Sequence, residues 1–174
     1  MEARVGRDKQ RYGTKCQRCF SNTAAKQWVA RYGPTGERLV AGVVPLSPDR
    51  TQVLLIQSSN RKGWVLPKGG WETDERTQEE AACREAWEEA GIECAISADL
   101  GEIAEKRSES QIRKNPFAPR AAYRFYEVRV KEEKATWPES HKRTRMWMSY
   151  GKAKEALKER PELLEALERS SIKR

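Results

Sequence analysis

Gly69-Gly-Trp-Glu-Thr-Asp-Glu75, followed after eight intervening residues by Arg84-Glu85-Ala-Trp-Glu88-Glu89-Ala-Gly91-Ile92, is the stretch on which the reading of this chain turns. Its centre predicts a helix over 77–90: Ala and Glu are strong helix formers, and Gly91 stands just past the last periodic residue, where a left-handed cap belongs. Cys83, Ala86, Trp87 and Ala90 fall at i, i+3, i+4 and i+7, one apolar stripe able to pack on a sheet. The other face carries Glu85, Glu88 and Glu89. At these spacings three carboxylates crowd one turn, and each like-charged pair is destabilising by a few tenths of a kcal/mol. A divalent cation reverses that sign, because the three supply hard oxygen ligands suited to Mg2+, with Mn2+ as the alternative, and phosphate oxygens of a substrate complete the shell. The competing reading is a solvated acidic face on which Arg84 pairs with Glu88.

Working outward, residues 38–46 and 52–57 are β-rich runs separated by Ser47-Pro-Asp-Arg50, a hairpin turn. Trp64-Val-Leu-Pro67 is a short strand that Pro67 ends before the two glycines. Residues 92–105, 121–130 and 146–148 read as further strands. Helices are expected over 151–160 and 162–169, with Ala153, Ala156, Leu157 and then Leu163, Leu164, Leu167 as buried stripes and Pro161 separating the two. Strands interspersed with a few helices predict an α/β or α+β sandwich.

The chain has 174 residues with 34 Lys+Arg, 26 Asp+Glu and one His, a formal net charge of +8. That length makes one compact domain, here 28–170, preceded by a basic arm over 1–27 that is poor in apolar residues and expected to be flexible. No run of 18 apolar residues occurs and the first residues are polar, so neither a membrane span nor a secretory signal is expected. The charge is unevenly placed: counted from the sequence, residues 1–31 carry +6 and 106–145 carry +7, while 72–93 carry −7. Acids flanked by bases suit a cation held by the former and a polyanion held by the latter. Cys16 and Cys19 form a C-x-x-C, half of a zinc site or a redox pair, without a matching second half. Cys83 and Cys94 read as buried small hydrophobes, and this cysteine usage fits a reducing compartment.

The quoted stretch resembles the Nudix box of the Nudix hydrolases, G-x5-E-x7-R-E-U-x-E-E-x-G-U with U aliphatic. The second half matches residue for residue, with a small Ala86 at the first U. The front half is one residue longer: Gly69 and Glu75 keep their mutual spacing, whereas counting back from Arg84 puts Gly70 and Arg76 in those slots. The resemblance implies an α/β/α sandwich with a mixed β-sheet and a loop-helix box, and Mg2+-dependent hydrolysis of a diphosphate linked to another moiety. It implies Glu85, Glu88 and Glu89 as metal ligands, a carbonyl of Gly69 or Gly70 as a further ligand, Glu89 as general base, and Arg84 as the group that orients the glutamates.

Outside the box, Ser58-Ser-Asn-Arg-Lys-Gly-Trp-Val-Leu-Pro-Lys-Gly-Gly70 looks like the diphosphoinositol polyphosphate phosphohydrolase subfamily, which also cleaves diadenosine polyphosphates; the longer box spacing is also that of its fungal members. The run Trp137-Pro-Glu-Ser-His-Lys-Arg-Thr-Arg-Met-Trp147 resembles that subfamily's basic strand. A compact, densely phosphorylated ring needs several bases converging from different strands. The candidates are Lys68, Arg31, Arg38, Ser58, Arg61, Lys62, Arg113, Lys114, Arg143 and Arg145, and His141 is expected to meet solvent or phosphate. The expected partner is thus a small polyanionic phosphate bound by a monomer in the cytoplasm or nucleus, or in a host's cytoplasm were the chain a secreted effector. Two alternatives stand beside it: a nucleotide or mRNA-cap hydrolase stacking bases on Trp28, Tyr32, Phe117 or Tyr123, and a non-catalytic RNA-binding module using the basic arm.

Overall fold

The computed structural model describes residues 29–59 and 62–174, so the arm 1–27, with Cys16 and Cys19, and Arg61 lie outside the described residues. In chain order the elements are β1 (Arg38–Leu46), β2 (Gln52–Gln57), β3 (Trp64–Val65), β4 (Lys68–Gly70), α1 (Gln78–Ala90), β5 (Ile92–Ala104), α2 (Glu109–Lys114), β6 (Ala121–Glu133), β7 (Arg145–Ser149), α3 (Tyr150–Leu157) and α4 (Pro161–Arg169). The strands join in one mixed sheet of order β3-β2-β1-β6-β5, with β4 on β1 and β7 on β2. At its centre β1 and β6 run parallel, in register from Arg38↔Ala121 to Leu46↔Arg129. The other pairings are antiparallel.

Consecutive residues in the middle of β1 and β6 are all buried: Val40 to Leu46 on one, Phe125 to Val128 on the other. Successive strand side chains point to opposite faces, so unbroken burial requires both faces to be covered. Helix α1 supplies one layer, contributing Ala82, Ala86 and Ala90 to the core, and α3 and α4 supply Ala153, Leu157, Leu163 and Leu167. The chain is an α/β sandwich, as the alternation of elements predicts. Behind it the C-terminal segment is tied down through Glu127 on β6, whose carboxylate accepts from the Ser171 N–H at 2.7 Å and from its hydroxyl at 2.8 Å.

Three local readings change. Lys68–Gly70, expected to be loop after Pro67, is a strand, because Val40↔Gly70, Ala41↔Gly69 and Gly42↔Lys68 pair it to β1. Pro161 does not separate two helices but opens α4 at its first position, where its missing N–H costs no hydrogen bond. Cys83 and Cys94 are half-buried rather than buried, and the two thiols perturb each other: Cys94 holds the Cys83 thiol below its ordinary value, and Cys83 pushes the Cys94 thiol up.

The C-terminal end of α1 forms as its sequence predicts, while Thr77, expected to be its first residue, stands just outside it as the cap. The Thr77 side chain accepts from the Glu80 N–H, and Gly91 ends the helix with φ 64° and ψ 34°, donating to the Ala86 and Trp87 carbonyls. Gly91→Ala would force an L side chain into that left-handed conformation with its Cβ 2.7 Å from the Trp137 ring. We expect a loss of about 1–3 kcal/mol, read as a lower urea midpoint with an unchanged slope.

Candidate active site

Arg84 organises the quoted stretch. It projects from α1 and is only 3 % exposed. Its Nε donates to Glu75 Oε1 at 2.5 Å, its Nη1 to Glu85 Oε1 at 2.6 Å and to Glu88 Oε2 at 3.1 Å, and its Nη2 to the Gly70 carbonyl at 2.9 Å. Burial works against the guanidinium's charge, but the Glu75 hydrogen bond and the charges of Glu85, Glu75 and Glu88 outweigh it and hold the group more firmly protonated than usual. The ambiguity of the longer box is thereby settled: buried Glu75 takes the box glutamate's position, also accepting the Glu72 N–H at 2.9 Å, while Arg76 is exposed.

The strand β4 brings the glycines against the carboxylates. A Cβ at Gly69 would stand 2.2 Å from the Glu85 carboxylate, so the strand and that side chain approach as only glycine allows. Glu89, 9 % exposed, is held at both oxygens: the Lys68 N–H donates to Oε2 at 2.9 Å and Arg143 Nη2 to Oε1 at 2.5 Å. Arg143 is in turn fixed by Glu139 and by donation to the Gln57 carbonyl at 3.0 Å. Burial raises Glu89 above the usual carboxylate range against the pull of Arg143, the Lys68 N–H and the Lys68 charge. Burial also lowers the Lys68 ammonium below its ordinary value, with Glu89 and Glu85 opposing and Arg160 and Arg143 adding.

These groups line a cleft of ≈ 370 Å³: Glu72, Glu85 and Glu89, the glycines, and a basic rim of Arg38, Lys68, Arg143 and Arg160, with Ser58 and Ser59. Among the described residues no three acidic, His or Cys side chains already stand as a coordination cluster. The donors nonetheless suit a divalent ion. They are all oxygen, converge from one helix against the two glycines of β4, and the Glu85 carboxyl is pushed toward protonation by burial and by Glu89 and Glu88. Gly70, whose carbonyl faces Arg84, and Gly69, packed on Glu85, are the backbone positions at this point.

The substrate-binding residues expected from the sequence divide. Arg38, Ser58, Lys68 and Arg143 reach the cleft. Arg31 does not: it stacks 4.5 Å from the Trp71 ring centroid and donates to the carbonyls of Glu72, Thr73 and Glu75, shaping the turn that presents Glu75. Arg145 does not either; it stacks on Trp137 and donates to the carbonyls of Ala90, Gly91 and Lys134, closing the C-terminal end of α1. These two are corrected from substrate ligands to supports of the box. Arg113 and Lys114 are exposed on α2, and Lys62 and His141 are exposed, none lining the cleft. Arg160, at the start of α4, joins the rim without having been anticipated.

A model of the NUDIX domain matches residues 36–169. The chain belongs to the NUDIX family. The domain is 42% identical over 135 residues to Nudix hydrolase 16, mitochondrial, of Arabidopsis thaliana, covering 70% of this chain and 73% of that protein. It is 40% identical over 96 residues to the RxLR effector protein CRE5 of Phytophthora infestans (strain T30-4), covering 53% of this chain and 30% of that protein. A NUDIX hydrolase from Nitrosomonas europaea shares the fold at a TM-score of 0.64 and 14% identity, over 76% of this chain and 87% of that one.

Two outcomes follow for this NUDIX site. Glu75→Ala leaves the Arg84 charge short of its closest partner and should destabilise by about 3–5 kcal/mol, whereas Arg76→Ala stays within about 0.5 kcal/mol, both read by urea unfolding. The Glu85 carboxyl, ordinarily 4.5, is pushed up to about 7. Between those values the folded, metal-free chain holds a proton that the unfolded chain has released, so stability falls as pH rises through that window. Urea midpoints measured in chelator should decline across it, and Glu85→Gln should flatten the decline.

Proposed function

We propose that this NUDIX hydrolase removes the outer phosphate from diphosphoinositol polyphosphates with Mg2+, Mn2+ substituting, and accepts diadenosine polyphosphates and inorganic polyphosphate as further substrates. One observation carries the reading: four bases, Arg38, Lys68, Arg143 and Arg160, from separate parts of the fold rim the cleft that Glu85 and Glu89 enter. A ring bearing several phosphates needs cations on more than one side, while a single diphosphate needs fewer.

The chain's own groups suit the chemistry. Glu89, raised by burial and oriented by Arg143 and the Lys68 N–H, takes a proton from the attacking water. The water oxygen bonds to the outer phosphorus, the bond from that phosphorus to the bridging oxygen breaks, and the bridging oxygen leaves on the inner phosphate. Lys68 and the arginines hold the charge that builds on the phosphate oxygens. Glu85, Glu88 and Glu89 would hold the divalent ion, which when bound neutralises phosphate oxygens and lowers the pKa of water.

The nucleotide and cap readings want an aromatic platform at the cleft. Among the described residues Tyr32, Phe117 and Tyr123 do not line it, and Trp28 lies outside the described residues. A purely RNA-binding module has no need of a buried, doubly held Glu89. Among the described residues no helix is long and apolar enough to cross a membrane. A monomer acting in the cytoplasm or nucleus is the setting we infer, and the likeness to a protein named an effector supports a host cell as a second setting.

Phosphate release with Mg2+ from a panel of diphosphoinositol, dinucleoside, polyphosphate and capped-RNA substrates tests this. We expect the diphosphoinositol compounds to be preferred, Glu88→Gln/Glu89→Gln to lose activity on all, and Lys68→Ala and Arg160→Ala to raise KM most for the inositol substrates. Preference for capped RNA overturns the substrate, and an active double variant overturns the catalytic assignment.

A further inference from the structure

We propose that Cys83 and Cys94 are a thiol pair that a peroxide converts, reversibly, into an intramolecular disulfide joining α1 to β5. The hydrolytic reading gives neither residue a role. Helix α1 ends at Gly91 and β5 starts at Ile92 with no loop between them, so the two elements fold back on one another from a single glycine. At about 1.5 Å per helical residue Cys83 lies ~12 Å back from Gly91. At about 3.3 Å per strand residue Cys94 lies ~10 Å forward of it. The two cysteines therefore stand at nearly the same height on facing arms. Cys83 belongs to the stripe of α1 that includes buried Ala86, Trp87 and Ala90, and Cys94 packs against the core from β5. Each thiol is the largest influence on the other, which makes them neighbours, and both residues are half-buried, so a small oxidant reaches them.

The balance is closed. The first thiol, losing its proton, attacks a peroxide oxygen; the O–O bond breaks, giving a sulfenic acid and one water. The second sulfur then attacks the sulfenic sulfur, the S–O bond breaks, and a second water carries off the remaining hydrogens. Two thiols and one hydrogen peroxide thus yield one disulfide and two waters, drawing the sulfurs to about 2.05 Å. The ring so closed runs from Cys83 to Cys94 and encloses Arg84, Glu85, Glu88, Glu89 and the Gly91 cap. The bond ties down the half of α1 that carries the carboxylates.

The test uses the full chain, treated with equimolar hydrogen peroxide, alkylated, and digested without reductant. Trypsin cuts after Arg84, separating the peptide Thr77–Arg84 from Glu85–Lys106. We expect these two peptides linked, at a mass lower by two hydrogens, with dithiothreitol restoring them. The oxidised chain should unfold at a temperature higher by about 5 °C, a shift that Cys94→Ser and Cys94→Ala both abolish. Four results would overturn the proposal: Cys83 and Cys94 alkylated while Cys16 and Cys19 oxidise, Cys83 linked to either of the latter, Cys83 recovered as a sulfinic acid, or a thermal shift that persists without Cys94.

Discussion

One buried guanidinium holds this site together. Arg84 sits among Glu75, Glu85, Glu88 and the Gly70 carbonyl, joining the turn before α1, the helix and the strand β4 through a single planar fork of donors. A charge so deeply buried is tolerable only because several acceptors surround it; taken away, it would leave three carboxylates facing one another. Around Arg84 three acids share one cation, so this corner of the box keeps a negative surplus that the guanidinium alone does not cancel.

The basic surplus of the chain divides into two uses. Arg31 and Arg145 spend their donors on backbone carbonyls at the two ends of the box, one under the turn that presents Glu75 and one at the end of α1. Each also stacks on an indole, Trp71 or Trp137, which fixes the plane of the guanidinium. Arg38, Lys68, Arg143 and Arg160 face the cleft instead. Arg143 belongs to both groups, since it lines the cleft while gripping Glu89. Net charge therefore says little about recognition until the carbonyl-bound bases are set aside.

This division also marks how far the sequence could be read. The apolar stripe of α1, its cap at Gly91 and the runs that became β1 and β2 were legible because each follows a local rule of period or backbone conformation. Strand β4 was not: Lys68-Gly69-Gly70 has no strand-forming side chain, and its conformation comes from pairing with β1, a non-local effect. Spacing left Glu75 and Arg76 as rivals, and only the hydrogen bond to Arg84 separates them. Arg31 and Arg145 look like any phosphate-binding base in one dimension. Arg160 precedes a proline at the start of a helix, and nothing short of the folded chain places it beside Lys68.

The central pairing of β1 with β6 has a consequence for synthesis. Those strands lie side by side although Leu39 pairs with Ala122, so the middle of the sheet cannot close until most of the chain exists. The rim needs Arg143 and Arg160, which come later still. As the chain leaves the ribosome, the acidic helix follows Arg38 and Lys68 but precedes Arg143 and Arg160, so it waits beside a half-built sheet with only half of its rim in place. Long-range closure of this kind slows folding and leaves strand edges open in the meantime. Cleft and core are therefore completed in the same late step, so a nascent chain has no phosphate-binding site to offer until it is nearly finished.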